Sequence, residues 1–199
     1  MPTVEVKGAV QLRKALRKYA PDLSRELKKE IGSYLKPVVQ KSRSYIPSVS
    51  PLSGWAKPIK SQNLNYRPFP KFNSFEAKRG IGYTTVTPKP NKSGFTYLAQ
   101  IYNQSASGTI FETAGRRNPW GSPKSKSNNP YAGRQFIAAL PPLTKPTKES
   151  ENPAKDRTKM TGRAIFRAWA ETNGQITPKV IKAMVNTKAK FDARKIRAA

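Results

Sequence analysis

Apolar residues recur at steps of three and four between Leu23 and Tyr45. Leu23, Leu27, Ile31, Tyr34, Leu35, Val38, Ser42 and Tyr45 all fall on one face, the spacing of an amphipathic α-helix. Pro21 and Asp22 stand near its start, where a fixed φ and a negative charge both suit a helix N-terminus. Lys41 and Arg43 stand near its end, where positive charge is favoured. Pro37 removes an internal hydrogen bond and is expected to kink the helix. The stripe predicts a core-packing face, with helix pairing as its other use.

Upstream, Val4-Glu5-Val6-Lys7 alternates and then meets Gly8, which predicts a short strand. Val10, Leu12, Leu16 and Tyr19 predict a short helix that stops before Pro21. Residues 47–75 lose the periodicity: prolines, Ser and Asn surround isolated Trp55, Phe69, Phe72 and Phe75, which predicts a long loop with aromatic anchors. Residues 80–86 and 95–102 are rich in aromatic and β-branched side chains and predict adjacent antiparallel strands. Residues 115–130 and 141–161 are dense in Gly, Pro, Ser, Asn and Lys and predict arms or surface loops. A helix is expected over Gly162 to Glu171, with Ile165, Phe166 and Trp169 on one side. A separate last helix is expected from Thr177-Pro178, an N-cap residue followed by proline, with Val180, Ile181, Met184 and Val185 as its apolar face. Its tail, Arg194-Lys195-Ile196-Arg197, is basic.

These elements predict an α+β chain, in which a small antiparallel sheet packs with a long, kinked amphipathic helix. Extended loops or arms and C-terminal helices complete it. The length suits one domain over residues 1–199, with extended loops at 47–75 and 105–160.

Charge narrows the function. Lys and Arg number 38 against 11 Asp and Glu, a net charge of +27. Residues 1–50, 51–150 and 151–199 carry 11, 15 and 12 basic residues against 4, 3 and 4 acids, so the surplus covers the whole body rather than a tail. Such a field favours acidic partners: nucleic acid, acidic protein rings or anionic lipid. The chain has no His and no Cys. That removes imidazole- and thiol-based nucleophile pairs and His or Cys metal sites. With 18 prolines and 36% hydrophobic residues, much of the chain is expected to be ordered by a partner rather than by its own core. No apolar run approaches the ~20 residues that span a bilayer, and Met1-Pro2-Thr3-Val4-Glu5 lacks the layout of an export signal. Absent cysteines suit a reducing compartment.

Carboxylates are the remaining route to hydrolysis. Glu26 and Glu30 form an i, i+4 pair on a helix also carrying Arg25, Lys28 and Lys29, the pattern of surface charge pairing. Glu112 lies in Ile110-Phe111-Glu112-Thr113-Ala114-Gly115, and a buried or interfacial partnership with Arg116, Arg117 or another subunit's arginine is expected of it. Glu151 and Asp156 lie in loop sequence without metal-ligand spacing. Gly80-Ile81-Gly82 lacks the third glycine and the following helix of a phosphate-binding loop. No enzyme, metal or cofactor is expected. Tyr66-Arg67-Pro68-Phe69-Pro70-Lys71-Phe72 and Arg116-Arg117-Asn118-Pro119-Trp120 interleave basic and aromatic residues, which can serve phosphate contact and base stacking or anchor loops on a neighbouring subunit.

Four passages, in order, resemble the neck or tail-completion proteins that join head to tail in long-tailed bacteriophages. Val4-Glu5-Val6-Lys7-Gly8 with Leu12 and Leu16 is similar to the family's opening strand, glycine and short helix. The long basic helix ending at Ser44-Tyr45-Ile46-Pro47, then Ser53-Gly54-Trp55, resembles its proline-terminated helix and following turn, which is Thr-Gly-x-Leu-like in the family. Tyr97-Leu98-Ala99-Gln100-Ile101-Tyr102-Asn103 with Ile110-Phe111-Glu112 is similar to its strand rich in Tyr, Val and Glu. Gly133-Arg134-Gln135-Phe136-Ile137-Ala138-Ala139-Leu140 resembles its late Arg-Phe-x-x-Ala-Leu passage. Residues 105–130 are longer than in a minimal member. The resemblance implies a non-enzymatic virion protein in the neck or tail, assembled in the host cytoplasm. It implies a homo-oligomeric ring, a hexamer before a dodecamer, touching adjacent head–tail connector and tail proteins, with nonspecific DNA contact as a further destination for the charge and no membrane partner. Trp55, Glu112, Arg116, Arg117 and Trp120 are the expected interface residues. The rival reading is a sequence-independent nucleic-acid-binding protein, ribosome-associated or DNA-packaging.

Overall fold

The computed structural model describes residues 9–56, 70–86, 99–116, 131–143 and 162–197. The fold is α+β, mostly helical with one two-stranded antiparallel sheet. In chain order the elements are α1 (Ala9–Tyr19), α2 (Pro21–Ser44), a 3-10 turn (Ser53–Ala56), α3 (Ser74–Gly80), β1 (Ile81–Thr84), β2 (Gln100–Asn103), α4 (Ala106–Thr113), α5 (Ala132–Ala138) and α6 (Ile165–Arg197). The first strand expected at Val4–Lys7 lies outside the described residues, as do 87–98 between the two strands of the sheet. Within the chain there are two compact units, one of Met1–Val39, Tyr83–Ile101 and Trp169–Ala199, the other of Gln40–Gly82 and Tyr102–Ala168.

In the first unit the α2 stripe is the core. Leu23, Leu27, Ile31, Leu35 and Val38 are all buried, and each such side chain contributes about 1.5–3 kcal/mol by leaving water. Pro21 opens α2, where a missing N–H costs nothing because the first amides of a helix have no internal partner. Pro37 falls inside the helix and is exposed. Arg13 is buried on α1 and donates to the carbonyl of Thr85; burial, then the nearby Arg17 cation, lowers its pKa. The start of α2 is tied to the end of α6 by Asp22–Arg194, at 2.7 Å, and Glu26–Lys190. Lower residue numbers on α2 meet higher ones on α6, so the helices run antiparallel at this seam. The bond from Arg194 holds the Asp22 carboxyl below its ordinary pKa.

The C-terminal part differs from expectation in two ways. No break separates two helices: α6 is one element of 33 residues with Pro178 inside it. Thr177 and Pro178 therefore do not begin a helix. Proline costs a helix interior one hydrogen bond, here to the carbonyl of Gly174, but packing on both sides of that point outweighs a local loss. Pro178→Ala restores the bond and is expected to raise stability by about 1–3 kcal/mol in urea denaturation. A decrease would count against a helix running through this position. The buried face is also rotated. Ile176, Val180, Ala183, Met184 and Thr187 are inside, while Ile181 and Val185 are 40% and 60% exposed. Small Ala183 and self-satisfied Thr187, whose hydroxyl donates to the Ala183 carbonyl at 2.8 Å, form a face that a search for large apolar residues overlooks.

In the second unit, α4 and α5 stand in the stretch 105–160 expected to be extended loop, and α3 begins in the 47–75 stretch and runs to Gly80, the first residue expected of a strand. Asn73 caps α3 by accepting from the Glu76 amide at 3.1 Å, and Ser105 caps α4 by accepting from the Gly108 amide at 3.1 Å. Asn103 joins the two. Its Oδ1 accepts from the amide and hydroxyl of Ser105 at 2.9 and 2.8 Å, and its Nδ2 donates to the Ala77 carbonyl at 3.4 Å. The backbone approaches closely here: a Cβ on Gly80 would lie 2.8 Å from the Ser105 nitrogen. The third helix, α5, begins with no side-chain cap bond. Arg43, near the end of α2, donates twice to the Ile81 carbonyl, at 3.2 and 2.6 Å.

Candidate functional site

The main polar cluster of the second unit is built on Glu112. It is 4% exposed on α4 and is the one buried carboxylate among the described residues. The sequence at the start of α6, Gly162-Arg163-Ala164-Ile165, offers no Ser, Thr, Asp or Asn to cap it. Glu112 supplies the cap from about fifty residues away. Its Oε2 accepts from the amides of Ala164 and Ile165 at 2.6 and 3.1 Å, and its Oε1 from Phe166 at 2.9 Å. Three otherwise orphaned donors and the positive end of the helix dipole meet one carboxylate. Gly162 makes room: a Cβ there would strike Glu112 Oε1 and come within 2.6 Å of the Phe166 ring.

Arg163 closes the joint from the other side. Its Nη1 donates to the carbonyls of Phe111 and Ala114 at 3.0 and 2.8 Å, and its Nε to that of Pro141. These acceptors include α4 carbonyls that the helix leaves unpaired at its C-terminus. Burial lowers the Arg163 pKa, and the Glu112 carboxylate opposes that shift.

Trp55 is buried at 5% exposure. Its indole N–H donates to the Pro70 carbonyl at 2.7 Å. Its ring lies 4.9 Å from Phe72 and 5.0 Å from Phe136, and Phe72 in turn lies 6.4 Å from Phe111. The aromatic anchors expected of the 47–75 stretch are thus inside this unit at Trp55 and Phe72, whereas Phe75 is 70% exposed. Arg116 places its guanidinium 5.0 Å from the centre of the Phe166 ring. Among the residues expected at an interface, Trp55, Glu112 and Arg116 therefore contribute to this unit's own packing. Arg117 and Trp120 lie outside the described residues.

Sequence reasoning missed Gly162 and Arg163. The one available signal was the uncapped start of a helix otherwise well patterned. Backbone amides of Ala164, Ile165 and Phe166 are partners of Glu112 that the sequence did not suggest; of the arginines expected beside it, Arg117 lies outside the described residues. The surface charge pairing expected of Glu26 is made with Lys190 of α6, and Glu30 accepts the Tyr34 hydroxyl at 2.9 Å. Glu151 and Asp156 lie outside the described residues. Gly80-Ile81-Gly82 runs from helix α3 into strand β1, the reverse of a phosphate-binding loop. Among the described residues no group of three or more His, Cys, Asp or Glu is placed to hold a metal, and no helix is long and apolar enough to cross a membrane. Comparison with known families, curated proteins and solved structures gives no match.

Proposed function

We propose that this chain is a structural subunit of the head–tail junction of a long-tailed bacteriophage, a ring-forming neck or tail-completion protein. The observation that carries the reading is the net charge of +27 distributed over the whole body of a chain without His or Cys. The order of the four sequence passages supports it, as does the use of Glu112 as a helix cap rather than as a member of a reactive pair. Copies of so basic a chain repel one another. A ring therefore forms where acidic surfaces of the neighbouring connector and tail proteins neutralise it, and electrostatic complementarity then selects those neighbours.

Exposed apolar side chains such as Tyr19, Val49, Phe75, Val86 and Tyr131, each at least 65% exposed, are suited to burial between subunits of such a ring. Arg117 and Trp120 contribute further contacts in this reading.

Quantifying the protein in purified particles against the major tail protein tests the reading. Roughly six or twelve copies per particle are expected of a closed ring. Absence from particles, with recovery on cellular nucleic acid, would overturn it in favour of the nucleic-acid-binding alternative.

A further inference from the structure

We infer that the solvent face of α2 is a docking surface for the phosphate backbone of duplex DNA, formed by Arg25, Lys29 and Lys36. All three side chains are exposed. At ~100° per residue they lie within about 40° of one another around the helix, and they extend ~16 Å along it at 1.5 Å per residue. They make one straight row.

The described acids of the same unit leave that row unmatched, Glu171 being engaged elsewhere. Asp22 pairs with Arg194, Glu26 with Lys190 and Asp192 with Lys188, and Glu30 accepts the Tyr34 hydroxyl. Arg25, Lys29 and Lys36 form no ion pair with any described residue. Exposed Lys14, Arg17 and Lys18 on α1 add to the field of the same unit. Uncompensated cations aligned on a rigid element offer a linear polyanion a matched surface.

The row's chemistry favours phosphate over an acidic protein. The other exposed positions within about 60° of the row's centre on α2 are Pro21, Asp22, Ser33, Gln40 and Arg43. One aromatic ring stands beside them: Tyr83, 37% exposed, packs over Gly32 between Lys29 and Lys36 and carries a phenolic hydroxyl that can also donate to phosphate. A protein–protein interface centres on desolvated aromatic or aliphatic anchors and is depleted of lysine. A duplex backbone instead stays hydrated, presents a charge about every 1.7 Å of axis and is held by point charges with counterion release. Such contact reads no sequence, since no side chain of the row is placed to report a base. The inference does not depend on the junction reading, since any duplex within reach of this face would serve.

The test uses the full chain and a 30-base-pair duplex of random sequence, with affinity followed by fluorescence anisotropy between 50 and 300 mM NaCl. The triple variant R25Q/K29Q/K36Q is expected to give a plot of log affinity against log salt that is shallower by about 2–3, since each phosphate contact contributes ~0.9 to the slope. A control, K188Q/D192N, removes an exposed pair without net charge change and is expected to keep the parent slope. Circular dichroism of both variants should match the parent, because every substituted side chain is solvent-facing. An unchanged slope in the triple variant overturns the assignment. So does tighter binding of polyglutamate than of the duplex at equal charge, which would make the face a site for acidic protein. Particle copy number is scored separately. Particles that hold the normal number of triple-variant subunits while the slope falls would keep both readings, and loss of the protein from particles with the DNA slope intact would remove only the junction.

Discussion

Replacing Glu112 by alanine is expected to lower the unfolding free energy by about 3–5 kcal/mol, the range for removing one partner from a buried charged set. The loss exceeds that of an ordinary exposed cap, about 0.5–2 kcal/mol, for two reasons. The amides of Ala164, Ile165 and Phe166 all lose their acceptor, at a start of helix α6 where Ala164 and Ile165 are buried. Arg163 is buried beside them and loses the negative charge that offsets its desolvation. Glu112→Gln keeps the shape and one carbonyl oxygen but turns an NH2 group toward amide donors, so an intermediate loss is expected. Urea denaturation followed by far-ultraviolet circular dichroism measures both. A loss below about 1 kcal/mol for the alanine variant would mean that solvent or a rearranged start of α6 replaces the carboxylate.

Trp55→Ala should cost about 3–5 kcal/mol, as large-to-small changes of buried aromatics do. The indole fills space between Phe72 and Phe136, so its removal leaves a cavity lined by rings that cannot all collapse inward. Trp55→Phe separates the contributions: it keeps much of the packing and removes the bond to the Pro70 carbonyl, worth about 1 kcal/mol. This pair of variants also decides between two roles for the residue. If Trp55 served mainly at a subunit contact, the alanine variant would melt with the parent and fail only in assembly. A folding defect in the isolated subunit places it in the core.

The strongest periodicity in the chain was fully legible. The face from Leu23 to Val38 is the buried face of α2, because a long run at steps of three and four has one stable partner, an apolar core. The end of α1 before Pro21 and the strand content of 81–84 and 100–103 were equally readable, since proline and β-branched or aromatic runs act locally. Short helices were not. Helix α4, Ala-Ser-Gly-Thr-Ile-Phe-Glu-Thr, has Gly and two Thr in eight residues and low intrinsic helix propensity. It forms because Ser105 caps one end, Arg163 takes carbonyls at the other, and Phe111 is fully buried between.

Proline was read too strictly at the other end of the chain. At Pro21 its local signal and the structure agree, since a helix can begin there without loss. At Pro178 the same residue sits within a 33-residue helix whose flanks are held by buried Ile176 and Val180. A local penalty of about 3 kcal/mol is smaller than the packing lost if the helix stopped.

The amino-acid sequence alone determined the chemistry open to this protein. A chain without His or Cys and with a +27 charge has no imidazole or thiol to react and a field that attracts anions, whatever its fold. It also determined α2, because that pattern is written in neighbouring residues. The tertiary structure decided what single side chains do. Glu112 became a helix cap, Trp55 a core ring, and Arg25, Lys29 and Lys36 a row without an acidic partner among the described residues, since each outcome depends on residues far along the chain. Hydrogen bonds and ion pairs act over a few ångströms in space, and only folding determines which distant groups come that close.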